Sequence, residues 1–291
     1  VPIDLYRSTA TRLFLGAAAG EPDGIPVLDP DSPDCRDLLF PAAVGYGHDP
    51  GQYVPDMMAA PDRMRAIPPA EYDARFDEQE RTQSSLEHLY LRDWRGECLD
   101  QNGQGYCWSY STGAAVMMTR LKANMPFVRL NPHSVASLVK GGRDEGGWCG
   151  LSLAFARDNG YAAEGSGPTQ WPPHGFGAAA NRRFADPALK AAMQAHRVTD
   201  DWYDLGKPHW GQQLKDAQLR TVLLNNCPAP SDFNWWGHSV CALRHVRIEA
   251  GGWGLLVLNS WRGWGRRGLA VLRGSQARPD GAVSVVATMA A

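Results

Sequence analysis

Asp100-Gln101-Asn102-Gly103-Gln104-Gly105-Tyr106-Cys107-Trp108-Ser109-Tyr110-Ser111 is the stretch on which the reading of this chain turns. A glycine-rich turn runs directly into residues 107–122, which hold no proline and carry apolar side chains at Ala114, Ala115, Met118 and Leu121. That pattern predicts a helix beginning at Cys107. A thiol is a useful nucleophile only as the thiolate, and an ordinary cysteine is mostly protonated at neutral pH. A helix N-terminus offers the sulfur unpaired backbone N–H groups and the positive end of the macrodipole, which favour the anion. The same amides can stabilise the oxyanion of an acyl-transfer intermediate.

Two later segments extend the pattern. Trp236-Gly237-His238-Ser239-Val240 leads into strand-like sequence, and Leu258-Asn259-Ser260-Trp261 is followed by Gly263-Trp264-Gly265. A lone Cys before a helix is usually structural, and so is a lone His before a strand. Together and in this order, the segments resemble the papain-like cysteine proteases, which carry Gln six residues before the nucleophile, Gly two before it and Trp just after. Gln101, Gly105 and Trp108 match those positions. His238 lies 131 positions after Cys107 and Asn259 lies 152 after it, near the separation of about 130–150 residues usual in that family.

The resemblance covers about residues 94–275. It implies an α+β fold of two lobes: a helical lobe whose central helix starts at the nucleophile, and an antiparallel β lobe. It also implies Cys107 as nucleophile, His238 as general base and Asn259 as the residue that orients the imidazole. Gln101 and the Cys107 amide would form the oxyanion hole, and Trp261 would shield the His–Asn bond. Asn131-Pro132-His133-Ser134-Val135 and Gly146-Gly147-Trp148-Cys149-Gly150 are similar to the family's second helix and glycine-rich groove wall. Gly146, Gly147 and Tyr106 are thus expected along the substrate groove. The implied reaction is peptide-bond hydrolysis on a protein or peptide partner, with no metal or organic cofactor.

The chain also departs from the family. Gln104 stands where secreted members carry a disulfide cysteine, so Cys149 lacks that mate. Tyr106 replaces a small residue and is expected to narrow the cleft. Arg262, Arg266 and Arg267 make the rim near Asn259 basic. Residues 160–221 match no family segment.

The chain has 291 residues and a formal net charge of −2, so no global field asks for nucleic acid or an anionic membrane surface. No apolar run approaches the roughly 20 residues needed to span a bilayer. Arg7 and Arg12 precede a short apolar run at 13–19 that imitates a signal peptide, but it is brief and bounded by glycines, and we read it as no secretory signal. Six cysteines are scattered with no C-x-x-C pair and no zinc-ligand spacing. They read as free buried thiols in an intracellular, cytoplasmic or otherwise reducing compartment. A Cys98–Cys149 bridge stays open, because both flank the candidate site.

Residues 1–68 are rich in Pro, Gly and Asp and hold neither period for long. They read as an extended arm with one short helix near 9–18, a surface from which a protein partner or an oligomer contact could be made. Residues 69–92 read as a helical linker or pro-helix, with one helix over 70–91, and 93–291 as the papain-like domain. Further helices are expected over 132–140, 151–159 and 187–196, and strands over 239–248, 254–259, 268–273 and 282–288. The arm is either an inhibitory propeptide or a permanent element. The principal alternative to proteolysis is a papain-like fold used as a structural or assembly component, since the chain also resembles papain-like proteins encoded beside structural genes of tailed bacteriophages, which implies a virion association. Amidase or transglutaminase chemistry on the same triad is a third reading.

Overall fold

A computed structural model describes residues 25–28, 67–199, 202–204, 216–248 and 252–289. The short helix expected near 9–18, the rest of the arm apart from 25–28 and 67–68, and Cys35 lie outside them.

The helices are α1 (Tyr72–Thr82), α2 (Leu86–Arg92), α3 (Cys107–Lys122), α4 (His133–Val139), α5 (Cys149–Asp158), α6 (Gly177–Asn181), α7 (Pro187–Gln194) and α8 (Asp216–Leu224). The strands are β1 (Val27–Leu28), β2 (Ala163–Glu164), β3 (Gln170–Trp171), β4 (Trp202–Asp204), β5 (Ala229–Phe233), β6 (His238–Arg247), β7 (Trp253–Leu258), β8 (Leu269–Leu272) and β9 (Gly281–Val285). Seven of these strands form one sheet in the order β1-β8-β7-β6-β5-β9-β4, antiparallel except for the β1–β8 pair; β2 and β3 pair separately. Helices precede an antiparallel sheet, the α+β arrangement expected.

The alternation along β6 explains how the sheet is covered. Cys241 and Leu243 point to the layer built on α3, while Val240 and Ala242 point to the opposite face with Leu219, Leu223, Trp236, Trp261 and Trp264. A sheet buried on both faces needs apolar residues at nearly every position, and β7 and β8 have them, as does β6 over residues 240–243. Helix α3 is buried from Cys107 to Leu121. A helix apolar or small all round is a core helix, and this one carries the nucleophile candidate at its first residue.

Two expectations are corrected here. The single helix over 70–91 is two, because Gln83 takes a left-handed φ of 49° and Ser85 caps a new helix by accepting the His88 N–H. Phe76, Leu86 and Tyr90 nonetheless share one core with α3, so both helices pack into the domain. Residues 25–28 are a buried edge segment rather than part of an irregular arm: Val27 pairs with Val271 and Leu28 with Leu272. The unfamiliar 160–221 region contributes a small core of its own, in which Trp171, Leu189 and Met193 are fully buried.

Candidate active site

The site lies where the start of α3 meets the start of β6. The turn into α3 is held by its glycines. Gly105 donates its N–H to Asp144 Oδ1 at 2.7 Å, and a Cβ there would come within 3.3 Å of the Glu145–Gly146 backbone. A Cβ on Gly147 would press 2.8 Å from the Trp108 ring. Gly105 and Gly147 therefore allow approaches that a side chain at either position would crowd. Trp108 fixes the helix start further, donating its indole N–H to Gly105 O at 3.1 Å.

Gln101 is 2% exposed and clamped at both ends of its amide. Its Oε1 accepts from Ser260 Oγ at 2.7 Å, and its Nε2 donates to Gln104 O at 2.6 Å. One N–H of that NH2 group is committed to Gln104 and leaves the second for an oxyanion. Ser260 is thus the residue that ties the Gln101 segment to Asn259.

His238 opens β6 and Asn259 follows β7. The structure brings them together: His238 Nε2 lies 2.8 Å from Asn259 Oδ1. The same oxygen accepts the Ser260 N–H at 2.7 Å, which orients the amide so that its oxygen faces the ring. That contact assigns the proton on Nε2 and leaves Nδ1 as the ring's acceptor. Trp261 stacks on His238 with ring centroids 4.2 Å apart and an interplanar angle of 25°, and Trp236 meets the ring edge-on at 5.0 Å. The His–Asn bond is therefore dry, where a hydrogen bond is strongest.

Ser239 follows His238 on β6 and commits its hydroxyl to Asp232 Oδ1 on β5 at 2.5 Å. Burial pushes the Cys107 thiol up to about 11; the Ser239 amide and hydroxyl and the Trp108 amide work against that rise, and the nearby Asp232 charge adds to it. Cys107 is 4% exposed, His238 1% and Asn259 1%, so the constellation is closed to solvent.

The remaining site candidates divide. Gly105, Trp108, Gly146, Gly147 and Trp261 all border the constellation. Tyr106 does not line an open groove, contrary to expectation. It is fully buried in the helical layer, where its hydroxyl donates to Arg143 O at 2.8 Å and its ring meets His133 edge-on. A residue just before a helix whose next side chain faces the cleft must point away from it. Cys98 and Cys149 are both free: Cys98 Sγ lies against Leu99 O and Asn259 O, and Cys149 Sγ against Asp232.

Sequence reasoning missed Asp232, a wholly buried carboxylate on β5 that bonds Ser239 and Cys149. It also missed the clamping role of Ser260. The prolines in Cys227-Pro228-Ala229-Pro230-Ser231-Asp232-Phe233 disguise β5 as a loop. Among the described residues no group of His, Cys, Asp and Glu could hold a metal ion, and no helix is long and apolar enough to cross a membrane.

No protein-family model matches the chain, and no curated protein matches it. Among solved structures it is similar to digestive procathepsin L 3 of Tenebrio molitor larval midgut, with a TM-score of 0.54 and 16% identity over 88% of this chain and 79% of that one. It is also similar to a recombinant stem bromelain precursor, with a TM-score of 0.50 and 16% identity over 68% of each chain. Neither likeness bears on the bacteriophage resemblance. At such identities they speak for the backbone, and the chain has the α+β papain-like fold.

Proposed function

We propose that this chain is a cysteine-dependent hydrolase of peptide bonds, with Cys107 as nucleophile, His238 as general base, Asn259 as the orienting residue and Gln101 in the oxyanion hole. One observation carries the reading: the 2.8 Å bond from His238 to Asn259 beneath Trp261, set against the N-terminus of the helix that begins at Cys107. The fold shared with papain-like proteases supports it and points to proteins or peptides as substrates.

In this mechanism His238 Nδ1 takes the Cys107 proton and gives a thiolate–imidazolium pair. The thiolate attacks the peptide carbonyl carbon, and the carbonyl oxygen becomes the oxyanion between the Cys107 amide and the free N–H of Gln101. His238 returns the proton to the departing amine and leaves a thioester. Water, deprotonated by His238, then attacks the thioester and releases the acid and the thiol. Asn259 holds one tautomer of the ring throughout, and Trp261 keeps water from competing for that bond.

A second reading, an assembly component that keeps the fold for binding, is favoured by the closure of the site, since Cys107 is 4% exposed. The same closure suits a zymogen whose N-terminal region is inhibitory. The five free cysteines described support a reducing compartment.

The deciding experiment labels the full chain with an epoxide probe across pH 4 to 9 and locates the label by mass spectrometry, beside hydrolysis of a fluorogenic peptide library. Cys107 should label well below pH 8, and both labelling and hydrolysis should fall sharply in H238A. Labelling of Cys107 no faster than of Cys227, with no hydrolysis before or after trimming of the first 66 residues, would reject the hydrolase and leave the binding role.

A further inference from the structure

Far from the nucleophile, the other end of β6 carries a polar pocket that the reaction does not use. His245 lies seven residues beyond His238 on that strand, about 23 Å away at the usual strand rise. It pairs with Leu255 of β7. Both residues, with Leu219 and Arg220 of α8 and the 274–278 turn that follows β8, line a pocket of about 100 Å³. That volume is several times what one water needs and well below that of a drug-sized site, so it suits one compact group.

The charge of the pocket is one-sided. Arg220, His245 and Arg278 line it, and among the described residues no acidic side chain does. Arg220 is held by rings rather than by an acid: its guanidinium lies 4.9 Å from the Tyr72 ring centre and 5.1 Å from that of Trp253. Aromatic contacts of this kind leave the N–H edge of the planar cation for bonds in its plane. Among the described residues that edge is not fully spent, because Arg220 Nε is buried with no hydrogen-bond partner, and so is His245 Nδ1. The neighbouring arginines of β6 show the contrast. Arg244 reaches Glu80 and Glu87, and Arg247 reaches Asp73 and Asp77. Those acids serve Arg244 and Arg247, and no described acid pairs with Arg220.

We propose that this pocket binds a tetrahedral oxyanion, a phosphate or sulfate group, with Arg220 and His245 as the inner donors and Arg278 at the rim. A guanidinium fork bonds two oxygens of one such group, which a chloride ion cannot offer. His245, kept neutral by burial and by the Arg220 charge, donates its single N–H to a third oxygen. A cation drawn out of water is stabilised by an opposite charge at bonding distance, and the oxyanion supplies one where the protein does not. The bound group ties α8 to β6 and to the 274–278 turn.

Isothermal titration calorimetry on the full chain, with phosphate, sulfate and chloride at matched ionic strength, tests this. Phosphate and sulfate should saturate one site and compete for it, and chloride should not. The His245 imidazole NMR signals, identified by their loss in H245Q, should move along the same curve. R220K keeps the charge but loses the fork, and R278A removes a charge from the exposed rim; each should weaken phosphate binding about tenfold. Should R220K fail to fold, R278A and H245Q carry the comparison. Phenyl phosphate separates the sources of the group: binding as tight as that of inorganic phosphate assigns the pocket to a phosphate carried on a larger molecule, exclusion assigns it to the free ion, and both keep the oxyanion. Heats no greater than those of chloride, or a phosphate affinity unchanged in both R278A and H245Q, would overturn the proposal.

Discussion

Replacing Arg244 by alanine should destabilise the domain more than any comparable change outside the active site. Arg244 follows a bulge on β6 and is 1% exposed. Its Nη1 reaches Glu80 Oε1 at 2.5 Å, Glu87 Oε2 at 3.3 Å and Ser85 Oγ at 3.0 Å, and its guanidinium lies 4.6 Å from the Phe76 ring centre. All four partners belong to α1, α2 or the cap between them, so one side chain fastens the 67–92 stretch to the sheet. The Glu80 side chain is 37% exposed and its pairing is worth little, whereas that of Glu87 is 1% exposed and has no such relief. Taking away the guanidinium leaves the buried Glu87 carboxylate without this opposite charge, at a cost of about 3–5 kcal/mol. For a domain of this size that corresponds to a fall in Tm of about 6–10 °C.

Differential scanning fluorimetry and urea unfolding would measure it, with limited proteolysis reporting whether cleavage within 67–92 is accelerated. The companion R244M/E87L variant removes both charges and replaces them with apolar volume. It should recover most of the loss, because a buried ion pair gains little over a well-packed apolar pair. A fall below about 2 °C for R244A, or additive losses in the double variant, would refute the reasoning. It would also remove the physical case that α1 and α2 are permanent parts of the domain and not a detachable pro-helix.

Two further predictions follow from the site and its surroundings. N259A removes the acceptor that orients His238; a hydrogen bond to a group that becomes charged is worth about 1.5–3 kcal/mol, so kcat/KM on a peptide substrate should fall roughly ten- to a hundredfold with KM little changed. An unchanged kcat would remove Asn259 from the mechanism. Stability should report Asp232 and His133 with opposite signs. Burial lowers His133 to about 3, so its contribution is lost as pH falls from about 6.5; burial raises Asp232 to about 6, so its contribution is lost as pH rises from its ordinary 3.8. Between pH 4 and 6 the Asp232 slope offsets that of His133 in the parent, while His245, also lowered by burial to about 3, adds the same slope to both proteins; D232N removes the Asp232 offset, so that its stability relative to the parent drops by about 3 kcal/mol on acidification. Urea unfolding at several pH values checks this, and a pH-independent difference between the two proteins would contradict it.

The fold and much of the site were legible because they rest on local signals. Helix α3 begins at Cys107 and ends at Lys122 as its pattern requires, and β6 to β9 begin within one residue of the expected positions. Gly105 stood out as part of the nucleophile motif and Gly147 as part of a glycine-rich groove wall, and the structure packs them against the Glu145–Gly146 backbone and the Trp108 ring. What escaped reading depended on contacts between distant segments. The break between α1 and α2 needs a left-handed Gln83, a state that helix propensity does not forecast, and it is stabilised by the Ser85 cap and by Gln79 bonding to Leu224 O and Asn226. Tyr106 was expected at the cleft because of its place in the sequence, but its direction is set by where α3 starts. Arg244 carries no local signal in the sequence; only the bulge and the two glutamates from the N-terminal helices explain it.

The raised thiol of Cys107 and the thiolate demanded by catalysis are reconciled by asking what raises it. Burial is the largest cause, ahead of any charge. A buried anion is costly because water is excluded from it, so any movement that admits substrate to the sulfur also hydrates it and removes that cause first. What remains around an exposed sulfur favours the anion: the amides of Trp108 and Ser239, and the first turn of a sixteen-residue helix. Against these stands the nearby Asp232 charge. Opening the site and activating the nucleophile are then one event rather than two, and the closed state is inert for the same physical reason that it is compact.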